Sequence, residues 1–297
     1  MVTRALHLKL VSDMSTEAFL AALKRFAGRR GVPKEMHSDN GSNFRGAKHE
    51  LNELYKLLKS QVVVDEISQF CQPREIVWSF IPPEAPNFGG IWEAAVKSTK
   101  FHLKRTLKES KLTFEEYSTV LIQIEGILNS RPLYAISSDP NDSEILTPGH
   151  ILIGRPLTAV SEPSCEGIQI NRLNRWQYMQ RLRDEFWKKW HRDYLQTLQP
   201  RSKNRIKTSN IKPGMIVLLE EKEIPVQVWK LGKITKTFPG KDDLVRTVEV
   251  QIGTVTYKRA IHKIAVLPIV DNVSLVEASE NSSQPGGSML APTPMID

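Results

Sequence analysis

At 297 residues, with 40% hydrophobic and 25% charged side chains, the chain is long enough for one sizeable core and a second, smaller module. No apolar run approaches the roughly 20 residues that span a bilayer, which argues against a membrane role. Two cysteines, Cys71 and Cys165, lack CxxC spacing, so neither a disulfide framework nor a cysteine zinc site is expected, and an intracellular, reducing compartment fits.

The net charge of +8 is unevenly distributed. Residues 1–170 hold 20 Lys and Arg against 20 Asp and Glu, residues 171–270 hold 21 against 9, and residues 271–297 hold none against four. A field concentrated in one segment favours a polyanion partner, most often nucleic acid.

In chain order, residues 5–11 alternate Leu6, Leu8 and Leu10 with His7 and Lys9, the period of a half-buried strand. Ser15 and Thr16 then offer caps for an amphipathic helix carrying Phe19, Leu20, Leu23, Phe26 and Ala27, closed by Gly28 and Gly31. A short strand runs into Asp39-Asn40-Gly41, placing Asp39 where a strand ends and a turn begins. A helix over about residues 48–58 and a buried strand over 75–81 follow, the latter stopped by Pro82-Pro83.

After Asn87-Phe88-Gly89-Gly90 the spacing predicts a helix over 91–108, with Glu93, Lys97, Lys100 and Lys104 at i, i+4, i+7 and i+11 on one face. Another helix covers 114–129. This alternation defines an α/β domain over residues 1–157. Residues 158–170 read as a linker. Residues 171–204 read as a basic amphipathic helix with Trp176, Met179, Leu182, Phe186 and Trp190 along one side, a core or partner-helix stripe in preference to the alternative of direct base stacking. Residues 205–270 hold five short β segments separated by turn signals, a small all-β barrel. Residues 271–297 have a disordered composition.

HSDNGSNF at residues 37–44, PNFGGIWEAAVKSTK at 86–100, the preceding WSFIPP, LNSRPL at 128–133 and LTPGHILIG at 146–154 together resemble the integrases of Pao/BEL-type LTR retrotransposons. The resemblance runs from about residue 2 to residue 269. It implies a ribonuclease H-like core followed by a helical linker and an SH3-like barrel. It further implies polynucleotidyl transfer, comprising 3′ processing and strand transfer, with Asp39 and Glu93 as catalytic carboxylates on Mg2+ or Mn2+. DNA contacts fall by the same resemblance to Lys97 and Lys100, with Asn87 in the loop before Glu93, by the shared helical stripe to Lys104, and by basicity to Lys188, Lys189, Arg201, Lys203 and Lys207. Self-association and a nuclear location at the time of integration are implied as well.

In that family the first catalytic Asp lies on the first strand of the sheet, and the opening of this chain aligns with the third. Asp13 is no replacement, because it follows that strand. The resemblance therefore implies a core that is inactive alone unless a further carboxylate is supplied. Two non-catalytic alternatives stand beside it: a DNA-binding remnant of a mobile element that uses the basic helix and barrel, and a module whose barrel engages a protein such as chromatin. His37, His49 and Cys71 lack the number and spacing of a zinc cage.

Overall fold

The computed structural model describes residues 4–60, 76–80, 90–108, 110–137, 145–165, 167–199, 211–221 and 223–269. In chain order the elements are α1 (Thr16–Arg30), β1 (Glu35–Ser38), α2 (Ser42–Ser60), β2 (Val77–Phe80), α3 (Gly90–Leu107), α4 (Phe114–Asn129), β3 (Tyr134–Ala135), β4 (Ile145–Leu146), α5 (Pro148–Ile153), α6 (Arg175–Leu198) and five strands, β5 (Ile216–Leu219), β6 (Leu231–Pro239), β7 (Val245–Ile252), β8 (Val255–Ala260) and β9 (Ile264–Val266). This is a mixed α/β chain. It divides into two compact units, one of residues 1–131, 147–194 and 222–228, the other of residues 132–146, 195–221 and 229–297. No helix among the described residues is long and apolar enough to cross a membrane.

In the first unit, local chemistry sets the helix starts. Ser15 accepts the Ala18 N–H at 3.1 Å to open α1, and Thr113 with Glu116 forms a reciprocal capping box at the start of α4. The inner face of α4 carries Val120, Leu121, Ile124, Ile127 and Leu128, all buried. β1 pairs with β2 in parallel, Ser38 opposite Phe80. Parallel strands need cover on their faces, and Phe19, Phe44, Trp78 and Phe80 form an aromatic cluster on this pair, with ring centroids 4.9 to 6.4 Å apart.

The opening segment departs from the expected strand. Residues 5–11 enter no ladder among the described residues. Their backbone is satisfied by side chains of α4 and the turn after it. The carboxamide of Asn129 accepts from Leu6 N–H and donates to Leu6 C=O, both at 2.8 Å. Glu125 accepts the Leu8 N–H at 2.8 Å and lies 3.3 Å from His7 Nδ1 and 3.6 Å from Arg30. Arg131 donates to the Arg4 carbonyl. Asn129 is fully buried, so these bonds replace water completely.

The stretch expected to be a linker is irregular but fastened. Glu162 accepts from Arg183 at 2.6 Å, and Cys165 is buried with its Sγ 3.5 Å from Gln180 Oε1. Arg183 is itself buried and also bonded to Asp184. Trp176, expected on the apolar stripe, stands 53% exposed, whereas Leu182, Phe186, Trp187 and Trp190 are buried.

The second unit is a five-stranded antiparallel sheet in the order β8-β7-β6-β5-β9. The expected β segments therefore appear in their expected places. Buried residues alternate with outward ones along β7, with Val248 and Val250 fully enclosed. β5 is buried throughout. Val217 and Leu219 join Ile234, Val245, Val248, Val250 and Ile264 on one side. Ile216 and Leu218 join Leu195, Ala135, Ala265 and Leu267 on the other.

Replacing Asn129 by Asp preserves shape while turning an acceptor toward the Leu6 carbonyl. We expect a loss of about 3 kcal/mol in urea unfolding; a change below about 1 kcal/mol would show that the clamp carries little of the stability.

Candidate functional site

Asp39 follows directly on the last residue of β1 and is exposed. Its Oδ1 accepts the Gly41 N–H at 3.0 Å, an Asx turn that fixes the carboxylate at the strand end. A Cβ on Gly41 would come within 2.8 Å of Asn43 Oδ1 and 3.1 Å of that same Asp39 oxygen, so a larger residue here would push on the side chains that form the turn. Beneath it, Ser38 is buried. Its hydroxyl donates to the Asp39 carbonyl at 3.0 Å and accepts from Trp78 Nε1 at 2.9 Å. Two of the motifs, HSDNG and WSF, are thus joined by one buried hydroxyl. Lys48 reaches the same place, donating to the Trp78 carbonyl at 3.0 Å with its ammonium 5.1 Å from the Phe80 ring centroid.

Glu93 lies near the start of α3; its side chain falls outside the described residues, as does Asn87 altogether. Lys97, Lys100 and Lys104 are exposed on α3, opposite a buried stripe of Thr99, His102, Thr106 and Leu107. Burial lowers the pKa of His102, and Asp193, 3.6 Å from its Nε2, opposes that shift. Among the described residues no group of three or more His, Cys, Asp or Glu is placed to hold a metal ion.

Lys188 and Lys189 are half-buried on α6. Lys189 donates to the Arg105 carbonyl at 3.1 Å and to Glu185 at 3.4 Å, tying α6 to α3. Arg201, Lys203 and Lys207 lie outside the described residues.

The sheet of the second unit presents a basic surface that strand counting alone does not single out. Lys236, Glu249 and Lys258 stand in one cross-strand row over β6, β7 and β8, on the face opposite Val248 and Val250. Lys236 and Lys258 are exposed, and their ammonium groups lie 5.5 and 5.0 Å from the ring centroid of Phe238. On the edge strand, Arg259 covers Tyr257 at 5.2 Å. The signal that could have found this row is the period-2 alternation of β6 and β8 taken with their common register to β7.

Residues 174–267 match a family of unknown function, DUF5641. That span takes in α6 and the whole five-stranded sheet, and it holds 20 Lys and Arg against 9 Asp and Glu. No curated protein matches the chain. Among solved structures it is similar to a chain of the simian T-cell lymphotropic virus intasome in complex with PP2A regulatory subunit B56 gamma. The identity is 11% and the TM-score 0.26, over 86% of this chain and 66% of that one. At that score the likeness carries no argument, and function rests on the chain's own residues.

Ser38→Ala would leave Trp78 Nε1 buried without an acceptor. Thermal unfolding should show a loss of about 1 to 2 kcal/mol, and an unchanged midpoint would show that the Ser38 hydroxyl does not hold the Asp39 strand end in place.

Proposed function

We propose that this chain is a DNA-binding protein of the integrase type, in which the basic segment spanning α6 and the sheet engages the phosphate backbone. The observation that carries this reading is the row of Lys236 and Lys258 around Phe238, set in the segment that holds 21 basic against 9 acidic residues. Such a surface offers mobile cations to phosphates and a ring face for stacking or sugar contact. Phosphate contacts of this kind position a protein on a duplex without reading its sequence.

The first unit takes its reading from the motifs. Asp39 at a strand end, Glu93 early in α3 and the exposed lysines of α3 match the Pao/BEL integrase pattern, and a ribonuclease H-like core with an SH3-like barrel is the architecture that pattern implies. Metal-dependent strand transfer on Mg2+ or Mn2+ requires a third carboxylate besides Asp39 and Glu93, because two cations about 3.5 to 4 Å apart need that much negative charge around them. DNA binding does not depend on that carboxylate. Self-association and a nuclear site of action belong to the same reading.

Fluorescence anisotropy of a labelled duplex, titrated with the full chain over a range of KCl concentrations, tests the claim. The logarithm of the association constant should fall linearly with the logarithm of salt. Lys236→Ala with Lys258→Ala should make that slope shallower by about 1.8, or about 0.9 per phosphate contact. Asp39→Asn should leave it unchanged. Salt-independent binding, or a slope indifferent to the lysine pair, would reject the reading.

A further inference from the structure

A second feature lies within the first unit. Among the described residues β1 bonds to β2 and to no other strand. The Val77 N–H donates to the Lys34 carbonyl at 2.9 Å, and along a strand the backbone groups of alternate residues point to the same edge. Lys34, Met36 and Ser38 therefore turn toward β2. The N–H and C=O of Glu35 and His37 turn away from it and meet no hydrogen-bond partner among the described residues.

The opening segment repeats this arrangement. The bonds from Asn129, Glu125 and Arg131 fall on the backbone of Arg4, Leu6 and Leu8, every second residue. The backbone groups of His7 and Lys9, in between, have no partner among the described residues. Both open backbones border one cavity of about 560 Å3, lined by His7 and Lys9 from the opening segment and by Glu35 and Met36 from the start of β1, with no residue of β2.

The remaining lining is mainly apolar. Phe19, Leu23 and Phe26 of α1 face the cavity, and α1 buries none of its residues, so its apolar stripe lacks cover. Cations gather at Lys9. Burial lowers the Lys9 pKa and the nearby charges of Arg25 and Arg29 lower it further, against a smaller opposing effect of Glu125. None of these three cations forms an ion pair among the described residues.

We propose that this cavity is a strand-addition site for an extended peptide of a partner protein, one with apolar residues at alternate positions and a carboxylate at one end. Each part of that ligand answers one observation. An extended backbone supplies the N–H and C=O groups that an open strand edge pairs with. Alternate side chains point to one face, where they cover the stripe of α1, and the carboxylate meets Lys9, Arg25 and Arg29. A partner helix has its backbone bonded internally and would leave both open backbones unpaired, as would a small apolar molecule. Nucleic acid would set its phosphates against an apolar lining that also holds Asp13 and Glu35.

Calorimetric titration of the full chain with the acetylated hexapeptide Val-Thr-Val-Thr-Val-Asp tests this. One-to-one binding is expected, with slowed amide exchange at Glu35 and His37. The same peptide N-methylated at every residue keeps its side chains, loses its backbone donors and should not bind. Leu23→Glu, on a helix with no buried residue, should abolish binding while circular dichroism stays unchanged. Lys9→Ala should weaken binding about threefold. Lys236→Ala with Lys258→Ala should leave it unchanged, which separates this site from the proposed DNA surface. Absence of binding, equal binding of the N-methylated peptide, or unaltered exchange at Glu35 and His37 would overturn the proposal. Self-association of the chain that Leu23→Glu abolishes and the peptide does not compete with would also overturn it, by assigning the face to a second copy.

Discussion

A single carboxamide, that of Asn129, does for the start of this chain what a neighbouring strand does in a sheet. It satisfies both the N–H and the carbonyl of Leu6, while Glu125 and Arg131 take the Leu8 N–H and the Arg4 carbonyl on either side. Buried backbone polar groups must be paired, so these three side chains allow the opening segment to lie against the helical core without a ladder. The path of the chain follows from it. The anchored segment leads to the Ser15 cap, α1 brings Phe19 onto Phe44 and Trp78, and that aromatic cluster supports the strand pair from which Asp39 emerges. The LNSRPL motif thereby acquires a structural role, since its Asn and its Arg are the clamp.

The second unit depends on a different constraint. β5 is buried on both faces, and its four apolar residues divide between two clusters. With the apolar residues committed inward there and along β7, the outward positions of β6 and β8 are free to carry charge. The lysine row around Phe238 is a consequence of that division. The charge is therefore presented on a rigid sheet, where its geometry is fixed, and the flexible part of its energetics is the counterion release that any duplex partner would provoke.

Periodicity made most helices legible to within a few residues, and α4 to the residue, because a capping box at Thr113 and a clean apolar stripe agree there. The five β segments of the second unit were equally readable from alternation and turn signals. Residues 5–11 show where local pattern stops: alternation reports a half-buried extended chain, but whether its backbone pairs with a strand or with Asn129 is a long-range fact, 123 residues away. Trp176 and Arg183 show the same limit on α6. A helical period places both residues on a wheel, but the exposed Trp and the buried Arg are set by what packs alongside, Glu162 in the case of Arg183. Of the site residues, the strand-end position of Asp39 was legible from Asp-Asn-Gly. The Lys236, Phe238 and Lys258 row was not, because it exists only once three strands are in register.

On the proposed reading, DNA meets this chain on the sheet of the second unit. Hydrogen exchange of the full chain, with and without a saturating duplex, tests it most directly, since bound DNA slows exchange at the amides it covers. Slowed exchange is expected in peptides of β6 and β8 that contain Lys236 and Lys258, with α1 unaffected. Slowing confined to the first unit, with β6 and β8 exchanging as in the free protein, would contradict it.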